Sequence, residues 1–144
     1  MAASQAEVEW QARYGQVYMS KRYFLIAAVN GLLAVALGAF GAHGLKQVIT
    51  AEMLEVYQTA VQYQMFHVTG LLAVAVLARQ HAASSMLKFS GALFTIGIAV
   101  FCGSLYLLAV SGITMLGFIT PFGGVCFLAA WGLLIIHVCK HESS

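Results

Sequence analysis

Residues 23–43, YFLIAAVNGLLAVALGAFGAH, decide the fold. They run for 21 positions without an Asp, Glu, Lys or Arg. A helix rising ~1.5 Å per residue needs about 20 such residues to cross ~30 Å of hydrocarbon. Small residues recur within the run on one period. Ala27, Gly31, Ala34, Gly38 and Gly41 are spaced four, three, four and three, which makes a continuous stripe down one helical face. Small faces let membrane helices approach closely, and van der Waals packing then drives their association.

Three further runs of similar length follow, at 56–78, 86–110 and 121–139. None alternates with the period of two that a membrane strand needs, and a helix satisfies its own backbone hydrogen bonds in lipid. The 144 residues are 61% hydrophobic and 8% charged, against about 25% charged in a soluble domain. So few charges cannot cover a water-facing surface. The expected fold is an all-α integral membrane four-helix bundle, up-down-up-down, in a lipid bilayer, with a short N-terminal interfacial helix. Ser90, Gly97 and Ser104 recur every seven residues along the third run and form a second small face for helix packing.

The run ends are punctuated. Gly44 sits where a glycine stops the first helix, and Gly112 where one stops the third. Thr50 is placed to N-cap the second helix, with Glu52 in its first turn. Thr120-Pro121 reads as an N-cap followed by proline at the first helical position. The chain therefore divides into an N-terminal segment (1–22), four spans (23–43, 56–78, 86–110, 121–139), two outer connections (44–55, 111–120), a connection at 79–85 and a tail at 140–144. Connections this short make sequential helices antiparallel neighbours. Arg13, Lys21, Arg22, Arg79, Lys88 and Lys140 fall on one side and only Lys46 on the other. The positive-inside rule then puts both termini in the cytoplasm.

The N-terminal segment differs from the rest. Ala6, Trp10, Tyr14 and Val17 share a helical face at spacings of four, four and three, beside Glu7, Glu9 and Arg13. That pattern suits a helix in the membrane interface or docked on a partner, so Trp10, Tyr14 and Val17 are the expected contact residues. The Lys21-Arg22 pair before an apolar run resembles a signal peptide, but the run exceeds the 7–15 residues of such a core and an acidic segment precedes it. It reads as a retained span.

Polar residues inside the spans are the functional candidates. In TAVQYQMFH, residues 59–67, Thr59, Tyr63 and His67 share a face with Gly70, and Gln62 and Gln64 flank it. An ionisable group at this depth faces the bundle interior and needs a partner. Tyr63, Asn30 and Tyr106 are the candidates, and these four residues are the candidate cofactor-binding set. Haem is disfavoured: counting ~1.5 Å per residue puts His67 about 18 Å and His43 about 31 Å from the cytoplasmic edge, so no two span histidines lie level. His67, Cys102 and Cys126 do lie nearly level, and that donor set suits a soft metal, but level is not contact. No cofactor or metal is expected. Cys102, Cys126 and Cys139 form no C-x-x-C pair, which argues against a disulfide framework. Glu52 and Glu55 read as a solvated helix start; the functional alternative is a polar mouth above Tyr63 and His67. The net charge of +2 is small and its basic residues scattered, so no nucleic-acid partner is expected. No serine–histidine–acid set, phosphate loop or HExxH is present, and no enzymatic activity is expected.

GAFGAH (38–43), TAVQYQMFH (59–67), FCGSLY (101–106) and TPFGG (120–124) followed by Trp131 resemble the small four-helix membrane proteins described as domain of unknown function 423, related to transmembrane protein 256 of eukaryotes. The resemblance spans about residues 22–139. It implies a bacterial inner-membrane protein and supplies no established activity. The family usually shows a serine at the position of Cys102, which weakens a metal site there, and its members begin near the first span, which makes residues 1–20 an extension. Two functions stand as expectations. The first is a structural or accessory subunit, packed against a larger membrane complex or in a homo-oligomer. The alternative is a quinone-, metal- or proton-handling redox protein centred on His67 and Tyr63.

Overall fold

The computed structural model describes residues 4–80 and 84–141. Four long helices carry the fold: α1 (Gln5–His43), α2 (Ala51–Gln80), α3 (Ser85–Ser111) and α4 (Thr120–His141). All four are long and apolar enough to cross a membrane. Each packs chiefly along its neighbour in sequence, α1 on α2, α2 on α3 and α3 on α4, while α2 and α4 meet at few points. Large apolar side chains such as Leu32, Val35, Phe89 and Leu128 point outward. Across a whole molecule, outward apolar faces of this kind are the solvent boundary of a protein dissolved in lipid. His81 and residues 142–144 of the tail lie outside the described residues.

The segment 1–22 is helical from Gln5, and nothing separates it from the first span. Residues 5–22 lack proline, and Gly15 alone is too weak a breaker to end a helix already propagating. The start is fixed by a reciprocal capping box, in which Ser4 Oγ accepts from the Glu7 amide and the Glu7 carboxylate accepts from the Ser4 amide. No break in the helix marks the expected boundary at residue 22.

The small stripe of α1 faces α2. Ala27 and Ala34 are fully buried. A β-carbon on Gly31, Gly38 or Gly41 would meet Val68, Val61 or Tyr57, all on α2. Gly41 sits directly under the Tyr57 ring, and the Tyr57 hydroxyl donates to the Leu37 carbonyl at 3.0 Å. Gly44 ends α1 in right-handed geometry, with its amide bonded to the Phe40 carbonyl, and a 3-10 turn (Leu45–Gln47) comes next. Thr50 Oγ1 accepts from the Met53 amide and caps α2. Gly112 ends α3 with φ +71, the left-handed conformation glycine adopts without strain.

The small face of α3 lies on α4. Ser90 Oγ donates to the Ala130 carbonyl at 2.9 Å, Gly97 lies against the Phe127 ring, and Ser104 Oγ pairs with Thr120 Oγ1 at 2.8 Å. That last bond corrects the expected role of Thr120. Thr120 is the first residue of α4, and its hydroxyl is committed to α3 instead of capping its own helix.

The period of α3 changes at mid-span. Ile98–Cys102 forms a π-helical turn between α-helical halves at Ser85–Gly97 and Gly103–Ser111, and the Gly103 amide reaches back to the Ile98 carbonyl. A π turn inserts one residue into the helical count and rotates the rest of the helix about its axis. Here it carries Phe101 onto α4.

Candidate functional site

The in-span polar residues separate into two sites on adjacent faces of α2. Its residues fall every ~100°, so neighbours in sequence diverge. Gln64 points to the α1–α3 side and is buried. Its amide nitrogen donates to the Asn30 carbonyl at 3.1 Å, with the Asn30 side-chain oxygen at 3.4 Å, and its carbonyl oxygen accepts from the Tyr106 hydroxyl at 2.8 Å. The Asn30 amide donates in turn to the Ile26 carbonyl at 2.8 Å. Asn30 and Tyr106 therefore meet Gln64, and not His67 as expected. The amide joins α1, α2 and α3 through bonds that have no competing water in hydrocarbon. Tyr57 packs beside Tyr106, with ring centres 4.9 Å apart.

The other face of α2 carries Tyr63 and His67 toward α4. The partner of His67 is the carbonyl of Tyr63, not its hydroxyl: Nδ1 lies 2.7 Å from that oxygen, one helical turn back. A carbonyl only accepts, so Nδ1 carries the proton and Nε2 of the neutral ring is an acceptor. The imidazole stacks on Phe127 of α4, with ring centres 3.4 Å apart and planes 8° from parallel. Phe66 meets it edge-on at 5.2 Å. Tyr63 stacks on Phe101 at 4.5 Å, the residue delivered by the π turn. Trp131 closes the group against Phe66 and Phe94.

These rings wall a cleft of about 680 Å³ between α2 and α4, which Pro121, Gly124, Val125 and Leu128 complete. It exists because α2 and α4 meet at few points while both pack on α3. Small residues on α3 and α4 set its depth. Gly97 admits the Phe127 ring, and Gly123 admits the backbone of Phe101. Its polar lining is His67, Tyr63 and Gln62, with no Asp, Glu, Lys or Arg.

The remaining candidates are dispersed. Cys102 is buried, Cys126 is half-buried, and among the described residues no three His, Cys, Asp or Glu side chains form a metal-holding group. The near-level placement of His67, Cys102 and Cys126 therefore does not bring them together, because their helices turn the side chains apart. His43 is exposed at the end of α1, and His137 is buried with Nδ1 3.2 Å from Ser84 Oγ. Thr59 bonds back to the Glu55 carbonyl, and Glu52 and Glu55 are exposed. Trp10 and Tyr14 stack at 5.3 Å and are exposed, as is Val17.

Sequence reasoning missed Gln64 as the centre of the polar network, Phe127 as the imidazole's neighbour, and the π turn. Gln64 had a signal: a large amide inside a span needs hydrogen-bond partners of its own. The π turn had none, since its residues IAVFC are ordinary for a span.

The sequence model described as "Protein of unknown function (DUF423)" matches residues 37–124. The UPF0382 membrane protein YwdK of Bacillus subtilis is 45% identical over 84% of this chain and 98% of its own length. A UPF0382 membrane protein of Staphylococcus saprophyticus is 42% identical, covering 83% and 98%. The UPF0382 inner membrane protein YgdD of Escherichia coli is 43% identical, covering 82% and 90%. No solved structure matches.

Proposed function

This chain belongs to the DUF423 family of multi-pass membrane proteins, and on that premise we propose that it is an accessory subunit that packs against a larger membrane complex. The observation that carries this reading is the free end of α1. At ~1.5 Å per residue its 39 residues span ~58 Å, nearly twice the ~30 Å of hydrocarbon. The bundle begins to bury α1 only at Met19 and Tyr23. Before that point Trp10, Tyr14 and Val17 lie uncovered on one face, about 180° around the helix from Met19. That face is turned away from the chain's own bundle. Aromatic side chains dominate protein contacts because they bury a large rigid area at little entropic cost.

We further infer an inner-membrane location with both termini on the cytoplasmic side. The support is the basic bias of the 1–22 and 79–85 segments and the inner-membrane name of the Escherichia coli relative. Terminal fusions to green fluorescent protein and to alkaline phosphatase test this: fluorescence with no phosphatase activity is expected at both ends. The docking reading is tested by a photo-crosslinking residue placed in living cells at Tyr14 and, as the opposite face, at Ala12. A discrete protein adduct at Tyr14 and none at Ala12 is expected. Lipid adducts alone, or equal protein adducts at both positions, would overturn it.

A further inference from the structure

The cleft between α2 and α4 holds a histidine nitrogen that the fold leaves unused. His67 is 4% exposed, and its Nδ1 is committed to the Tyr63 carbonyl. Phe127 covers the ring face. Nε2 remains as an acceptor, and no described residue hydrogen-bonds it. A polar atom without a partner is costly in hydrocarbon, where water does not substitute. The surrounding cleft, at about 680 Å³, falls within the size range of small-molecule sites.

We propose that this cleft binds a membrane-dissolved hydroquinone, with a phenolic hydroxyl donating to His67 Nε2. The proposal stands apart from the docking reading, because the cleft and the free end of α1 share no residue. Three features select the ligand. The acceptor state of Nε2 demands a donor, which a hydroquinone has and the corresponding quinone lacks. The lining contains no charged side chain, so the phosphate of a phospholipid headgroup would lie unpaired in it. The walls are aromatic, with Tyr63, Phe66, Phe127 and Trp131 offering faces and edges to a planar ring. Val125 and Leu128 at the mouth are lipid-exposed and leave an apolar tail a path into the bilayer.

The test is calorimetric titration of the full chain in phosphatidylcholine nanodiscs, corrected with protein-free nanodiscs. The probes are a decyl-substituted hydroquinone, its quinone, its bis-methyl ether and decanol. Saturable binding of the hydroquinone is expected. The quinone and the ether, which both lack the donor, are expected to bind about tenfold more weakly, as loss of one hydrogen bond to a buried acceptor implies. His67→Phe keeps a ring in place and should abolish the preference for hydroquinone over ether. Leu128→Trp, at the lipid-facing mouth, should weaken every probe without touching the core. Absence of saturable binding, equal affinity for hydroquinone and ether, or a preference that survives in His67→Phe would each overturn the proposal. Decanol binding as tightly as the hydroquinone would overturn the planar-headgroup assignment. If His67→Phe does not fold, the ranking of the four probes on the native chain and the Leu128→Trp result still decide.

Discussion

Gly123 of α4 lies backbone-to-backbone against Phe101 of α3. A β-carbon at Gly123 would come within 2.5 Å of the Phe101 amide nitrogen and 2.8 Å of its α-carbon. No side-chain rotation relieves a clash with backbone. Gly123→Ala is expected to destabilise the bundle by about 1–3 kcal/mol, the usual cost of overpacking. Gly124→Ala, whose nearest neighbours stand at 3.9 Å on the Phe101 ring, should be nearly neutral. Thermal unfolding of the two variants in mild detergent checks the contrast.

The Gln64 network makes a prediction about coupling. Tyr106→Phe removes the donor to Gln64 Oε1, and Gln64→Leu removes the amide that both Asn30 and Tyr106 use. Interhelical hydrogen bonds in membrane proteins are worth about 0.6 kcal/mol on average and up to ~1.7. Each single variant should lose that much or more. The double variant should lose less than the sum, because the second change removes a group already orphaned. A double-mutant cycle by denaturant unfolding reads the coupling directly, and strict additivity would contradict the geometry.

On the α1–α2 face, the stripe positions are not equivalent. A β-carbon on Gly41 would sit 2.7 Å from the Tyr57 ring, which its hydroxyl bond to Leu37 holds in place. One on Gly31 would rest at 3.8 Å from Val68, an ordinary contact. Gly41→Ala should therefore destabilise by about 1–3 kcal/mol. Gly31→Ala should be neutral or slightly stabilising, since alanine orders a helix better than glycine. The order of melting temperatures, Gly31→Ala above Gly41→Ala, is the check.

At the end of α3, Gly112 stands at φ +71 with no neighbour near its α-carbon. The cost of Gly112→Ala is thus conformational alone, about 1–2 kcal/mol for a left-handed residue with a β-carbon. Gly112→Asn should recover part of it, since asparagine tolerates that region. Equal losses for the two variants would place the constraint in packing.

Much of this molecule is legible from periodicity. The spans, the small faces of α1 and α3, Thr50 as a cap and Gly112 as a stop all come from local rules, because lipid removes most alternatives to a helix. The polar groups were legible only in part. Counting along a helix gives depth, which sets His67 level with Cys102 and Cys126 although the three form no group. Their partners depend on rotation about the helix axes, which depth does not contain. Thr120 shows the same limit: a threonine before proline has the form of a cap, yet an interhelical serine 2.8 Å away holds its hydroxyl.

By itself the sequence determined that this chain lives in a bilayer as four helices, which faces are small enough for close packing, and that the first span is preceded by an aromatic N-terminal stretch. These depend on composition and on spacing within one helix. The tertiary structure alone decided that the amide of Gln64 ties three helices, that a π turn brings Phe101 onto α4, and that α2 and α4 stand apart around His67. Those outcomes depend on how separate helices rotate and slide to satisfy polar groups and fill space together. No single helix carries that information.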